Sequence, residues 1–176
     1  FEAVSPTDKA GYCHLDSALI YSGAPANHFT GAEHLAGMTV RGWVDGIDIP
    51  EIAIDEAGEF DLPDGIEASE VKVGIHTAAT LISLPVAGLS TERQTISDVC
   101  VRFVRTLYAK AGRSPEDLVV LQFRDAADPM NASPPLWGGD MLSTIGGGWD
   151  DQGVYVIQQD TAGPMTISAV FPQYVA

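Results

Sequence analysis

The stretch MTVRGWVDGIDIPEIAI, residues 38–54, decides the fold class of this chain. In its first half, the even-numbered positions include Met38, Val40 and Val44, and the odd-numbered positions include Arg41, Trp43 and Asp45. Such alternation is typical of a β-strand with two different faces. Asp45-Gly46 is a dipeptide typical of tight hairpin turns, and isoleucine-rich alternation resumes directly after it. The stretch therefore predicts an antiparallel β-hairpin.

The second strand of this hairpin carries a proline. Ile47 and Ile49 share one parity, whereas Ile52 and Ile54 share the other, and the change falls at Pro50. Proline has no amide hydrogen to donate to a sheet ladder, so it is confined to edge strands or to β-bulges. The sequence therefore predicts an edge strand or a bulge at Pro50.

Further short apolar runs follow along the chain, separated by Gly, Pro and Asp, and runs of this kind indicate strands joined by turns. They occupy residues 59–62, 71–75, 81–86, 118–123, 154–158 and 164–171. We expect a single helical turn at residues 30–35, which ends before Gly37. Residues 22–27 and 126–148 are rich in turn-forming residues, and we expect them to be irregular.

The run ISDVCVRFVRTLY, residues 96–108, fits two kinds of secondary structure. Val99, Val101 and Phe103 alternate as in a strand, but other apolar residues of the run recur at helical spacing. The run is rich in β-branched and aromatic residues, which pack well on a pleated surface. This composition favours a strand.

Together these runs predict a mainly β chain: an antiparallel β-sandwich or barrel-like domain with at most one or two short helices. The 176 residues suit one domain and can bury a substantial core. We therefore expect a single β-rich domain spanning residues 1–176. No apolar run reaches the length of a membrane span.

The chain is strongly acidic, with 24 Asp and Glu, 9 Lys and Arg, and a formal net charge of −15. This balance argues against a nucleic-acid-binding surface and against binding to an anionic membrane, because both need clustered Lys and Arg. Two interpretations stay open. The acids keep the surface soluble, or they form a docking face for a basic partner or a cation.

The sequence holds no pattern typical of catalysis or metal binding. His14, His28, His34 and His76 lack the spacing of zinc ligands. There is no G-x-S-x-G, and the run Gly146-Gly147-Gly148 has no following Lys. Asp45, Asp48 and Asp55 lie near turns without an EF-hand pattern, so we expect solvated turn acids. We therefore predict no catalytic, cofactor-binding or metal-binding residues, no cofactor and no enzymatic activity.

Two further residue types leave alternatives open. Cys13 and Cys100 could pair, but two cysteines in a chain this long are more often free thiols. Trp43, Trp137 and Trp149 suit core or interface packing, and aromatic rings on a β-surface also suit sugar binding. One function that these tryptophans allow is carbohydrate binding by a β-sandwich that contacts host-surface glycans. We keep it as the alternative to the function that the resemblance described next implies.

Residues 15–46, LDSALIYSGAPANHFTGAEHLAGMTVRGWVDG, resemble a segment of the phage tail tubular protein B (nozzle) and phage stabilisation (hub) protein family. The family shows an LDSA-x-x-YSG opening, a G-x-x-HL-x-G centre and a TV-x-x-x-x-DG close. The matching residues are Leu15, Asp16, Ser17, Ala18, Tyr21, Ser22, Gly23, Gly31, His34, Leu35, Gly37, Thr39, Val40, Asp45 and Gly46. Later pieces at residues 71–74, 81–85, 102–106, 149, 153–158 and 164–170 follow in the family's order, with departures at residues 75–77 and 162–163.

The resemblance implies a structural component of a bacteriophage or prophage tail, located in the virion. It implies a ring of copies, hexameric in the virion, that contacts neighbouring tail proteins and through which DNA leaves. Family members are longer than this chain, and the chain begins at Phe1, so we expect a C-terminal portion of such a protein. The acids then suggest a hypothesis, that like charge in the conduit keeps DNA from adhering.

Overall fold

A computed structural model describes residues 13–85, 95–125, 127–128, 135–145 and 153–175. These residues form thirteen strands and two short 3-10 turns, at Glu33–Leu35 and Pro63–Gly65. In chain order the strands are β1 (Asp16–Ala26), β2 (His28–Phe29), β3 (Thr39–Val44), β4 (Ile47–Ala53), β5 (Phe60–Asp61), β6 (Ala68–Ile75), β7 (Ala79–Ile82), β8 (Thr95–Thr106), β9 (Lys110–Ser114), β10 (Asp117–Val120), β11 (Trp137–Thr144), β12 (Val156–Gln159) and β13 (Ile167–Val175). In the described part of the chain, no helix has the length and apolar character needed to cross a membrane.

All described strand pairs are antiparallel, and the strands form four sheets. The sheet orders are β1-β6-β3-β4, β10-β9-β12-β7, β11-β8-β13 and β2-β5. No sheet closes into a barrel within the described ranges. The prediction of a mainly β, antiparallel fold is confirmed, and the 3-10 turn at Glu33–Leu35 lies where one helical turn was expected.

The described residues group into two compact units. Unit 1 contains residues 13–77 and 161–164, and unit 2 contains the other described residues. Each unit has its own cluster of buried apolar side chains. The expectation of one domain over residues 1–176 stays a prediction.

The hairpin at residues 38–54 forms as predicted, with β3 and β4 as its strands. Asp45 and Gly46 have φ angles of 46° and 84°, the left-handed conformation that a two-residue hairpin turn of the primed type requires. Glycine adopts this conformation without strain, and Asp is one of the few other residues that tolerate it. The turn dipeptide therefore fixes the register of the hairpin.

Pro50 lies on β4, at the edge of the four-stranded sheet of unit 1. The pairing of β3 with β4 shifts by one residue between Val40–Ile52 and Gly42–Ile49. Pro50 falls within this shift, so the missing amide donor interrupts no regular ladder. Both features expected from the sequence, an edge strand and a bulge, occur together here.

The core of unit 1 lies between one face of the four-stranded sheet and the short β2-β5 ladder. Phe29 of β2 stacks on Phe60 of β5 with ring centroids 5.2 Å apart, and Tyr21 meets Phe29 edge-on at 4.9 Å. Val40, Val71 and other apolar residues of the sheet complete the cluster. Aromatic rings thus connect the two sheets of this unit.

The core of unit 2 is built around β8, the central strand of the β11-β8-β13 sheet. Val99, Val101 and Phe103 are at most 1% exposed, whereas Arg102, on the opposite parity, is exposed. The strand interpretation of residues 96–108 is therefore confirmed. Ala111 of β9 and Ile157 of β12 lie in the same cluster, so two sheets share one core, as in a β-sandwich.

Several strands differ from the sequence-based expectation, and β2 was not predicted. Residues 22–27, expected to be a loop, continue β1 to Ala26, and residues 137–144, expected to be irregular, form β11. β9 (KAGRS) was not predicted. Its Gly112 has no room for a Cβ against the backbone oxygen of Asp117, and the run of Lys, Ala, Gly, Arg and Ser shows no apolar alternation. Gly146, Gly147, Gly148 and Trp149 lie outside the described residues.

We expect Phe103→Ala to lower the free energy of unfolding of unit 2 by about 3–5 kcal/mol, because it opens a cavity in the core. Val104→Ala, at the neighbouring position with its side chain 42% exposed, is the matched control and should change it by less than about 1 kcal/mol. Urea denaturation followed by tryptophan fluorescence measures both. Equal losses for the two variants would contradict the assigned faces of β8.

Candidate functional site

The segment 15–46 lies in unit 1, and hydrogen bonds join residues within it. His34, from the centre of the segment, donates from Nε2 to the backbone oxygen of Ser17, from its opening, over 2.7 Å. The Tyr21 hydroxyl donates to the backbone oxygen of Ala24 over 2.8 Å. Leu35 is buried in the core of the unit. These residues serve as structural connections within the unit.

The glycines of the same segment occupy backbone conformations that other residues rarely adopt. Gly31, Gly37 and Gly46 have φ angles of 98°, 74° and 84°. A side chain at such a position would be strained, so each glycine is a requirement of the local chain path. The spacing of the motif thus encodes the turns of unit 1.

Two of the turn acids accept backbone hydrogen bonds. The Asp45 carboxylate accepts from the amides of Ser69 and Glu70, over 3.3 and 2.8 Å, and so joins the hairpin turn to β6. The Asp55 carboxylate accepts from the amides of Ala57 and Glu59 over 2.9 and 2.8 Å. Both residues are exposed, as expected of turn acids, but they also organise the backbone around them.

The third acid, Asp48, forms a half-buried ion pair with Arg41 across the hairpin. Arg41 donates from Nε and from a terminal guanidinium nitrogen to the two carboxylate oxygens, over 2.8 and 2.6 Å. The amide of Ala162 donates to the same carboxylate over 2.9 Å, and the Ala162 oxygen accepts from the His14 amide. Asp48 is therefore not the solvated acid expected from the sequence. It connects three separate stretches of unit 1.

Trp43 lies on the same strand as Arg41 and is buried, with 4% of its surface exposed. It pairs across the hairpin with Asp48 and, on its other side, with Lys72 of β6. A sugar platform needs an open aromatic face, so the burial of Trp43 supports packing as its role.

The four histidines differ in exposure and in their side-chain partners. His14, His28 and His34 are exposed, and His76 is half-buried. Only His28 has acidic side-chain partners among them in the described part of the chain: its Nδ1 lies 2.8 Å from Asp61 Oδ1 and its Nε2 lies 3.7 Å from Glu59 Oε2. Over the described ranges, no three His, Cys, Asp or Glu side chains converge on a point that could hold a metal ion.

Cys13 and Cys100 are free thiols, and both are half-buried. Burial raises the pKa of the Cys13 thiol above its usual value, and Lys72 opposes this shift. A raised pKa disfavours the reactive thiolate.

Trp137 lines an open cavity of about 300 Å³ in unit 2. Its ring meets Phe103 and Phe123 edge-on, with centroids 6.4 and 5.6 Å away. Gln122 and Asp128 also line the cavity and supply polar groups. An aromatic ring can pack against the apolar C–H face of a sugar. The neighbouring amide and carboxylate groups can form hydrogen bonds with its hydroxyl groups.

Exposed apolar side chains mark the two edge strands of the β10-β9-β12-β7 sheet. On β7, Leu81 and Ile82 are 41% and 56% exposed. On β10, Val119 and Val120 are 54% and 43% exposed. No described strand pairs on the outer side of either edge. Apolar side chains on open edges are typical of surfaces that pair with another chain.

We expect Asp48→Ala to lower the free energy of unfolding of unit 1 by about 3 kcal/mol, because it removes the Asp48 carboxylate from the Arg41 guanidinium and from the Ala162 amide in a half-buried site. Asp140→Ala breaks the exposed Arg102–Asp140 pair, whose geometry is equally close, and should leave stability nearly unchanged. Denaturant titration of both variants measures this. A larger loss for Asp140→Ala would contradict the assigned role of Asp48.

We expect His28 to titrate above its usual pKa of 6.5, because its ring donates to the Asp61 carboxylate. A raised pKa in the folded state means that the interaction stabilises the fold fully below pH 6.5 and is lost as the pH rises through the folded-state value. Asp61→Asn should return the pKa towards 6.5, whereas Asp64→Asn, at a nearby exposed acid, should not. NMR titration of the His28 ring measures each, and equal pKa values in all three proteins would refute the contact.

No protein-family model matches the chain, and no curated protein is significantly similar to it in sequence. The likeness to the phage tail family therefore depends on the segment 15–46 and on the order of the later pieces, and it stays a prediction.

Proposed function

We propose that this chain is a structural module of a bacteriophage tail, part of a ring of copies through which DNA passes. The module works through surfaces that join it to further copies of itself and to neighbouring tail proteins. In this proposal it sits in the virion, in a nozzle-like component, and performs no catalysis.

The observation that supports this proposal is the structural use of the family-matched residues. His34 joins the centre of the segment to its opening, Asp45 joins its end to β6, and Gly31 and Gly37 set its turns. Residues that a sequence shares with a structural family should serve the fold when they are not catalytic. The open apolar edges of unit 2 add surfaces suited to assembly.

The charge distribution fits a conduit for DNA. Between Arg41 and Lys72 the chain carries ten acidic residues and no Lys or Arg. Most of these acids are exposed, so this part of unit 1 presents a strongly negative surface. A negative surface repels phosphate groups and lets a duplex slide past without binding.

Immunogold electron microscopy tests the proposal. Antibodies raised against this chain should label the tails of phage particles released by cells that carry its gene. Capsid-specific antibodies serve as the control for position on the particle. Label on the capsid alone, or on no particle at all, would contradict a tail location.

The second candidate function, carbohydrate binding, has one observation in its favour: the cavity beside Trp137. Here a glycan would stack on the indole ring and bond to Gln122 and Asp128.

A glycan array tests this alternative. If it holds, Gln122→Ala should weaken a detected hit at least tenfold, and Phe171→Ala, at an exposed aromatic residue outside the cavity, should leave it unchanged. Gln122 is exposed, so the substitution should not disturb the fold. An array without hits, or equal effects of both variants, would reject the alternative.

A further inference from the structure

One row of side chains in unit 2 is buried in its middle and open at both ends. Across the sheet, Val119 of β10, Ala111 of β9, Ile157 of β12 and Leu81 of β7 lie side by side. Ala111 and Ile157 are at most 1% exposed, whereas Val119 and Leu81 are 54% and 41% exposed. The row therefore ends, at each edge of the sheet, in an apolar side chain that is exposed.

The two edges of this sheet also run in opposite directions. β10, β9, β12 and β7 are four strands, and each adjacent pair is antiparallel. Neighbouring copies in a ring are related by a rotation about its axis, so strands that run along this axis keep their direction from copy to copy. The β7 edge of one copy then meets the β10 edge of the next copy in antiparallel fashion, which continues the sheet's own hydrogen-bonding pattern.

The two other described sheets of three or more strands do not offer such edges. The three-stranded sheet has edge strands β11 and β13 that run in the same direction, so ring neighbours would have to pair in parallel. The four-stranded sheet of unit 1 has opposed edges, but β4 carries Pro50 and Glu51, and β1 carries Pro25 and two irregularities in its pairing. Proline, charge and bulges are the features that prevent edge-to-edge pairing.

We infer that β7 of one copy pairs with β10 of the next, so that this sheet continues from copy to copy around the ring. The inference rests on the proposed ring assembly and specifies its contact. In the unshifted register, Leu81 lies beside Val119 of the neighbouring copy, and Ile82 lies beside Leu118 of the neighbouring copy. Each contact extends an apolar row of one copy into the sheet of the next copy and covers side chains that are exposed at the free edges.

Charge permits this contact between two acidic chains. Residues 77–85 contain no charged side chain, and β10 carries one acid, Asp117, at its start. In the same register Asp117 of the neighbouring copy lies opposite Ser83. The Ser83 oxygen accepts from the Tyr155 amide, which leaves its hydroxyl hydrogen for a carboxylate. The contact thus brings no two acids together in a molecule of net charge −15.

Sedimentation velocity over a range of concentrations tests the contact. The unaltered chain should self-associate, and Leu81→Lys or Val119→Lys should each weaken association at least tenfold, because lysine blocks an edge. The two variants mixed in equal amounts should form a one-to-one dimer and nothing larger, because each keeps the edge that the other lacks. This mixing result is specific to a contact between two different edges.

Leu142→Lys is the matched control, because Leu142 is 61% exposed on β11 of the other sheet, and it should associate as the unaltered chain does. Thermal unfolding confirms that each variant is folded. The inference fails if Leu142→Lys alone blocks association, if the mixed variants stay monomeric, or if the unaltered chain stays monomeric throughout. Immunogold label on the tail would still support the proposed function in any of these cases.

Discussion

Backbone hydrogen bonding is the constraint on which this molecule depends, because an open β-sheet leaves unpaired amide and carbonyl groups along both of its edges. The described part of the chain is built from such open sheets. In unit 1, the sheet edges carry Pro50, Pro25, pairing irregularities and acids, which are features that keep other strands away. In unit 2, one sheet instead carries exposed apolar residues on both edges, and Asp117 is the one charged residue of those two edge strands. The sheet edges of unit 1 therefore hinder pairing with another chain, whereas the edges of this sheet in unit 2 permit it. In the proposed ring, this contrast favours unit 2 as the part that contacts neighbouring copies.

Unit 1 is also stabilised by side-chain hydrogen bonds and an ion pair that join stretches distant in sequence. The Arg41–Asp48 pair joins the hairpin to Ala162, far along the sequence, and Asp45 joins the same hairpin to β6. Charge-assisted bonds of this kind are short and directional, so they fix orientation as well as position. The segment resembling the tail family supplies both Arg41 and Asp45. Their contacts give both residues an architectural role in unit 1.

Much of the fold could be predicted where the signal is local. The hairpin at residues 38–54 and the alternation of β8 depend on neighbours in sequence, so turn chemistry and periodicity were sufficient. β1 and β11 were missed because small and turn-forming residues hide strands whose partners are remote in sequence, and β9 was missed because its sequence KAGRS shows no apolar alternation. The Arg41–Asp48 pair could have been found, since opposite charges on one face of a predicted hairpin indicate contact. The Ala162 contact and the sheet order could not, because neither follows from local pattern.

We propose that this chain builds a tail ring through the edges of one sheet. Cryo-electron microscopy of the virion tail tests it most directly, because density at side-chain resolution identifies both the module and its neighbours. The account predicts a ring of copies in which β7 of one copy lies beside β10 of the next, with Leu81 against Val119 of the neighbouring copy. A tail that lacks the module, or a ring whose copies meet only through other surfaces, would contradict it.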